Sequence, residues 1–286
     1  MLDQAERLRK LVNGEESIEN TSKKTKIITV TSGKGGVGKS NFVVNLAIIL
    51  QRRGKRVLIF DADIGMGNDD VLMGVFPQFN IFDVLKGREI EEIIIEGPEG
   101  VKLLPGGSGL NQVEDLQDSE REIFLRKLEN LNEFDYIIMD TGAGINRSVL
   151  AFISCSEEVI VVTTPEPTSL TDAYSLIKAT DHFKIKDKAK VIVNKTFTEA
   201  EGIETFNKFE RAVNKFLSLR VEYLGNIADD RKLVQGVRQQ IPLVVAYPHS
   251  EAARSMEVIA DKILGDKSES KIGAQGLFKK LFNLFS

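Results

Sequence analysis

Residues 27–40 read Ile-Ile-Thr-Val-Thr-Ser-Gly-Lys-Gly-Gly-Val-Gly-Lys-Ser. An apolar, β-branched run breaks into glycines, and a helical pattern begins at Asn41. Strand, glycine-rich loop and helix start in that order satisfy G-x-x-x-x-G-K-[ST] in the context the motif requires. The glycines let the backbone curl so that successive N–H groups face inward onto phosphate oxygens. The helix that follows adds its positive N-terminal end. Gly33, Lys34, Gly35, Gly36, Val37, Gly38, Lys39 and Ser40 are therefore the expected nucleotide-binding residues. Lys39 would give its charge to the β- and γ-phosphates, and the Ser40 hydroxyl would serve Mg²⁺.

Outward from this loop, short runs rich in Val and Ile alternate with longer helical stretches. The runs are Ile27–Thr31, Val57–Phe60, Val101–Leu104, Tyr136–Met139, Val159–Thr163, Val191–Val193 and Val221–Leu224. Continuous apolar runs of this length suit strands covered on both faces, as in a parallel sheet. Helix candidates between them include Asn41–Arg53, Ser119–Leu131 and Thr168–His182. The rhythm predicts an α/β fold, a doubly wound, mostly parallel sheet flanked by helices. It spans residues 26–264, with no internal repeat and no second domain.

Two of the runs end in carboxylates. Val57-Leu-Ile-Phe-Asp61-Ala-Asp63 closes on a pair, and Tyr136-Ile-Ile-Met-Asp140 closes on one, followed by Thr-Gly-Ala-Gly. Open α/β sheets gather ligands at the C-terminal ends of their strands. Asp140 has the Walker B arrangement and is expected to hold Mg²⁺ through a water. Gly142 and Gly144 suggest a backbone that shifts with the γ-phosphate. Carboxylates ending a buried strand could instead cap the next helix.

The 286 residues carry 38 Lys and Arg against 42 Asp and Glu, a net charge of −4, which gives no support to a dedicated nucleic-acid binder. A single cysteine excludes an internal disulfide framework and fits a reducing cytosol. It also excludes a metal-cluster carrier of the nitrogenase iron-protein kind, which needs two cysteines per chain. The charged start, MLDQAERLRK, lacks the apolar stretch of a secretory leader, and no run approaches a membrane span. A cytoplasmic protein, peripheral at the inner face of the cell membrane at most, is expected.

The second lysine in K-G-G-V-G-K-S, Lys34, resembles the deviant Walker A motif of the MinD/ParA ATPases, and D-x-D-x-x-x-x-N from Asp61 to Asn68 resembles that family's second motif. The resemblance covers residues 26–264 and implies an ATPase using ATP and Mg²⁺ that forms a homodimer in the ATP state. It implies that Lys34 reaches the nucleotide of the other subunit, that Asp63 positions the attacking water, and that Asp61 supports Mg²⁺. Asp63, Lys34 and Lys39 become the catalytic candidates, with Ser40, Asp61 and Asp140 as the metal candidates. Asn194, at the end of Val191-Ile-Val-Asn, and Asp229, in Gly225-Asn-Ile-Ala-Asp-Asp230, fall where the family contacts adenine. Ala228 departs from the proline usual there. Asn194-Lys-Thr-Phe197 departs from the N-K-x-D pattern of guanine readers, which favours ATP.

The two ends narrow the reading. Asp3-Gln-Ala-Glu-Arg-Leu-Arg9 resembles the D-Q-A-x-x-L-R start of the flagellar placement and number regulators, the FlhG (FleN/YlxH) branch. That resemblance implies a helix, residues 1–12, that stimulates the FlhF GTPase through Gln4, Arg7, Leu8 and Arg9, and a body that contacts flagellar switch-ring proteins. Residues 13–25 and 265–275 are polar and read as linkers. In residues 276–286, Leu277, Phe278, Leu281, Phe282, Leu284 and Phe285 share one face, with Lys279 and Lys280 on the other. Such a helix suits an anionic membrane surface, more strongly when a dimer presents two. The competing arrangement folds it back onto the ATPase body. A division-site MinD and a ParA-like DNA-partitioning protein are the alternative functions.

Overall fold

The computed structural model describes residues 25–63, 67–107, 127, 129–266 and 273–285. In chain order the elements are β1 (Lys26–Ser32), α1 (Lys39–Arg52), β2 (Val57–Ala62), α2 (Asp69–Met73), α3 (Ile90–Ile93), β3 (Ile95–Glu96) and β4 (Lys102–Pro105). There follow β5 (Tyr136–Ala143), α4 (Arg147–Cys155), β6 (Glu158–Thr163), α5 (Pro167–His182), β7 (Lys188–Thr196) and α6 (Glu199–Phe216). The last are β8 (Arg220–Ala228), α7 (Arg231–Gln239), α8 (Leu243–Ala246), α9 (Glu251–Gly265) and α10 (Gly273–Phe285).

One eight-stranded sheet runs in the order β3-β4-β2-β5-β1-β6-β7-β8. Every neighbouring pair is parallel except β3 with β4, which is antiparallel. The mostly parallel, helix-flanked sheet expected from the apolar runs is thus present. The pleat sends alternate residues to opposite faces. Ile28, Val30, Ile59, Ile138, Ile160 and Ile192 pack with Phe42, Leu46 and Ile49 of α1 and Met256 and Ile259 of α9. Ile27, Leu58, Phe60, Ile137 and Met139 face α4 and α10 instead. Val159, Val161, Val191 and Val193 meet α5 and α6.

Several boundaries differ from the sequence reading. β2 and β5 continue past their apolar runs to carry Asp61 and Asp140 as strand residues. β7 and β8 are nine residues each, because their ends pair with one another although polar. Cys155 is the last residue of α4 and fully buried. Most of the Ser119–Leu131 helix candidate lies outside the described residues.

The C-terminal helix lies against the body. Ala274, Leu277, Phe278 and Leu281 are buried among Phe60, Phe152 and Cys155, and the Phe278 ring centroid is 5.6 Å from that of Phe60. The Ala274 N–H donates to Asn132 Oδ1 at 3.0 Å, which fixes the first turn. Lys279 and Lys280 stay exposed. Three of the residues read as a membrane face, Leu277, Phe278 and Leu281, therefore cover the sheet here and can meet a lipid surface only after undocking. For Phe282 and Phe285 only the helical backbone belongs to the described residues.

Candidate functional site

The phosphate loop joins β1 to α1 at the centre of the sheet, beside the strand ends that carry Asp61 and Asp140. Gly38 takes φ 92° at the helix N-cap, a left-handed conformation that favours glycine. A Cβ there would also lie 2.2 Å from the Asn194 amide nitrogen. At Gly33 a Cβ would strike the backbone of Asp172 in α5 at 2.1 Å, so the loop's first residue is set by close packing. At Gly35 and Gly36, by contrast, a Cβ would meet nothing within 4 Å. The open arc between two tightly held ends is the shape a phosphate chain fits.

Two residues of β7 brace the loop from below. Asn194 Nδ2 donates to the Val37 carbonyl at 2.7 Å, and Lys195 Nζ donates to the Gly36 carbonyl at 2.9 Å. Lys195 holds a left-handed φ of 59° in doing so. Asp229 is exposed at the end of β8, and its N–H donates to Thr196 of β7 at 2.9 Å. Asn194 and Asp229 thus lie at the ends of the neighbouring strands β7 and β8.

The two lysines of the loop point different ways. Lys39 is buried, its Nζ 2.7 Å from Asp140 Oδ1. Lys34 turns outward, its Nζ donating to Glu166 Oε2 at 2.7 Å and to Thr168 Oγ1 at 3.1 Å. The Lys34 ammonium holds the Glu166 carboxyl below its ordinary range. Glu166 and Thr168 were not among the expected site residues, since nothing local marks a partner that distant.

The carboxylates converge. Asp61 and Asp140 are register partners across β2 and β5. Burial, and then the charge of Asp140, push Asp61 up to about 7, although the Asp63 N–H donates to it at 3.2 Å. Asp63 is raised by burial and by Asp140, with Lys39 acting against both. Asp63 also sits against the glycine loop after β5, since a Cβ on Gly142 would lie 3.0 Å from its Oδ1. Asp69, at the start of α2, is raised well above the carboxylate range by burial, then by Asp140 and Asp61. The sequence reading missed Asp69.

These groups suit Mg²⁺ held with a nucleotide. Among the described residues no set of three His, Cys, Asp or Glu side chains is arranged to hold a metal alone. Mg²⁺ is ordinarily bound through phosphates, a hydroxyl, waters and one or two carboxylates. Ser40, Asp61 and Asp140 offer that donor set beside the loop. Burial and mutual repulsion raise Asp61 and Asp69, so a dication beside them would favour their charged forms.

Gln4, Arg7, Leu8 and Arg9 lie outside the described residues, as do residues 64–66 between the Asp63 and Asn68 positions. Among the described residues no helix is long and apolar enough to cross a membrane.

Sheet, loop and carboxylate-tipped strands together define the phosphate-loop NTPase class. Residues 25–193 match the AAA domain family. The chain is 39% identical over 292 residues to the flagellum site-determining protein YlxH of Helicobacter pylori, covering 98% of each. It is 36% identical over 239 residues to the antiactivator FleN of Pseudomonas aeruginosa, covering 83% of this chain and 85% of that one. The septum site-determining protein MinD of Pyrococcus horikoshii, solved with Mg-ADP, superposes with a TM-score of 0.67 at 26% identity, covering 85% and 96% of the two chains. The chain belongs to the MinD/ParA-type ATPases, in the branch that holds FleN and YlxH.

Proposed function

We propose that this protein is an ATP-dependent dimerising switch that controls flagellar number or placement. The observation that carries the switch is the division of labour between two lysines of one loop. Lys39 is buried at its own subunit's carboxylates, whereas Lys34 is turned outward to Glu166 and Thr168. A lysine in that position is available to a second subunit's nucleotide. The flagellar task is supported by likeness to YlxH along nearly the whole chain and by the D-Q-A-x-x-L-R start.

In this reading the loop N–H groups and Lys39 bind the phosphates of ATP, and Asn194 and Asp229 border adenine. Ser40, Asp61 and Asp140 would hold Mg²⁺. When bound, the ion neutralises charge that develops on the phosphates. Asp63 orients the attacking water, accepting its hydrogen bond next to Gly142. Two subunits close face to face on ATP, with Lys34 supplied across the interface. Hydrolysis separates them.

The ends couple the cycle to location. Leu277, Phe278, Leu281, Phe282 and Phe285 would bind an anionic membrane once α10 leaves the body, and a dimer offers two copies. Gln4, Arg7, Leu8 and Arg9 would engage the FlhF GTPase, Gln4 helping to orient hydrolytic water there. The body would contact switch-ring proteins.

The decisive experiment uses a peptide of residues 1–20 with FlhF. The peptide should accelerate GTP hydrolysis, Gln4→Ala should weaken the effect, and Leu8→Asp should abolish docking by charging the apolar face. No acceleration, with partner binding intact after residues 2–12 are deleted, would instead favour division-site selection.

A further inference from the structure

Asp69 is fully buried beside the Asp140 carboxylate, yet neither of its oxygens makes a hydrogen bond of normal geometry among the described residues. Native proteins pair almost all buried polar side-chain atoms. The position at the start of α2 does not account for it. A carboxylate there can accept from free backbone N–H groups of the first turn, and this one accepts none.

Its surroundings are functional. Asp69 faces Asp140 and Asp61, with Lys39 the nearby cation. In this structure Lys39 is paired with Asp140. When Lys39 turns to nucleotide phosphates, three buried carboxylates lose that compensation together. One dication with its shell of water answers all three, because coordinated waters are donors and these carboxylates are acceptors.

We infer that Asp69 is a third carboxylate of the Mg²⁺–nucleotide site, accepting hydrogen bonds from the ion's water shell beside Asp61 and Asp140. The inference rests on the ATPase reading of this site and adds a residue that the motifs do not contain. Asp69 does not touch the reacting atoms in this assignment. It positions the ion through water, and residues that support a metal in this way typically change its affinity about 10- to 100-fold.

The test uses full-length protein and ADP, so that hydrolysis does not intervene. ADP affinity is measured with excess Mg²⁺ and with EDTA, and Mn²⁺ binding to the ADP complex is followed by electron paramagnetic resonance. Asp69→Asn keeps the shape and removes the charge, and Asp69→Ala removes the acceptor. Both should keep ADP binding in EDTA, lose about tenfold or more of the gain that Mg²⁺ gives, and weaken Mn²⁺ by a similar factor. Mg²⁺ gain and Mn²⁺ affinity within twofold of wild type in both variants would overturn the assignment. A lowered melting temperature with an unchanged Mg²⁺ response would do the same, by making Asp69 structural. Wild-type protein whose ADP affinity ignores Mg²⁺ would overturn the site reading itself, an outcome distinct from a failure of the variants alone.

Discussion

Lys34 Nζ lies 2.7 Å from Glu166 Oε2, although the two residues stand 132 positions apart in the chain. Both side chains reach the surface, and surface ion pairs hold weakly. The contact parks Lys34 on its own subunit without fixing it there. Lys39→Ala should therefore abolish nucleotide binding, whereas Lys34→Ala should keep it and lose the ATP dimer. Glu166→Gln should leave ATP affinity within about twofold while shifting the dimerisation midpoint. Isothermal titration and size-exclusion chromatography check both, and equal loss of ATP binding in the two lysine variants would confine Lys34 to its own subunit.

Asp61 gives the nucleotide-free protein a pH signature. Its folded value of about 7 exceeds its ordinary 3.8, so the folded state binds the proton more tightly. Stability from this group is present at low pH and falls as pH rises through that window. Asp140, Asp63, Asp70 and Asp69 face it and push the same way, with Lys39 close by. Lys186, pushed down to about 8 chiefly by burial, acts in the opposite sense only above that pH. Melting temperatures should be higher at about pH 5.5 than at about pH 8, and Asp61→Asn should reduce the difference, the raised Asp63 and Asp69 supplying the rest. Mg²⁺ with ADP should flatten it too, by favouring the charged carboxylates.

Docking of α10 can be read from Cys155. The thiol is buried beneath that helix and its pKa is pushed up to about 12 by burial, so it should react slowly with a thiol reagent. Deleting residues 276–286, or Phe278→Glu, should speed the reaction at least tenfold and leave ATP binding intact. Phe278→Ala should cost about 3–5 kcal/mol of docking or folding free energy. Wild-type protein with ATP and anionic liposomes should react faster than with ADP. The same rate in both states would mean that α10 stays on the body through the cycle.

The central strands were legible because burial on both faces leaves an unbroken apolar run, and the loop because its glycines and lysines stand together. Asp61 and Asp140 were legible as the polar ends of such runs. Asp69 was not, because in Asn68-Asp69-Asp70 nothing local says which acid turns inward, and acids are ordinary at an exposed helix start. Glu166 was missed because its meaning is a contact with a distant residue. Strand β3 has only two residues, too short to show a period. The pattern of α10 showed that one face must be covered, favoured a membrane surface, and left folding back onto the body as the competing arrangement. The buried Leu277, Phe278 and Leu281 decide it for this state.

ATP-driven pairing of two chains is the central step of the proposed switch, and Asp63→Ala isolates it. In the proposed cycle Asp63 orients water, while Lys39, Ser40, Asp61 and Asp140 remain to bind Mg²⁺ and ATP. This variant should bind ATP and fail to turn it over. Sedimentation velocity with Mg²⁺ should then show the mass of two chains in ATP and of one chain in ADP. A single-chain mass in both nucleotides, with ATP bound, would contradict the switch, as would the same dimer in both.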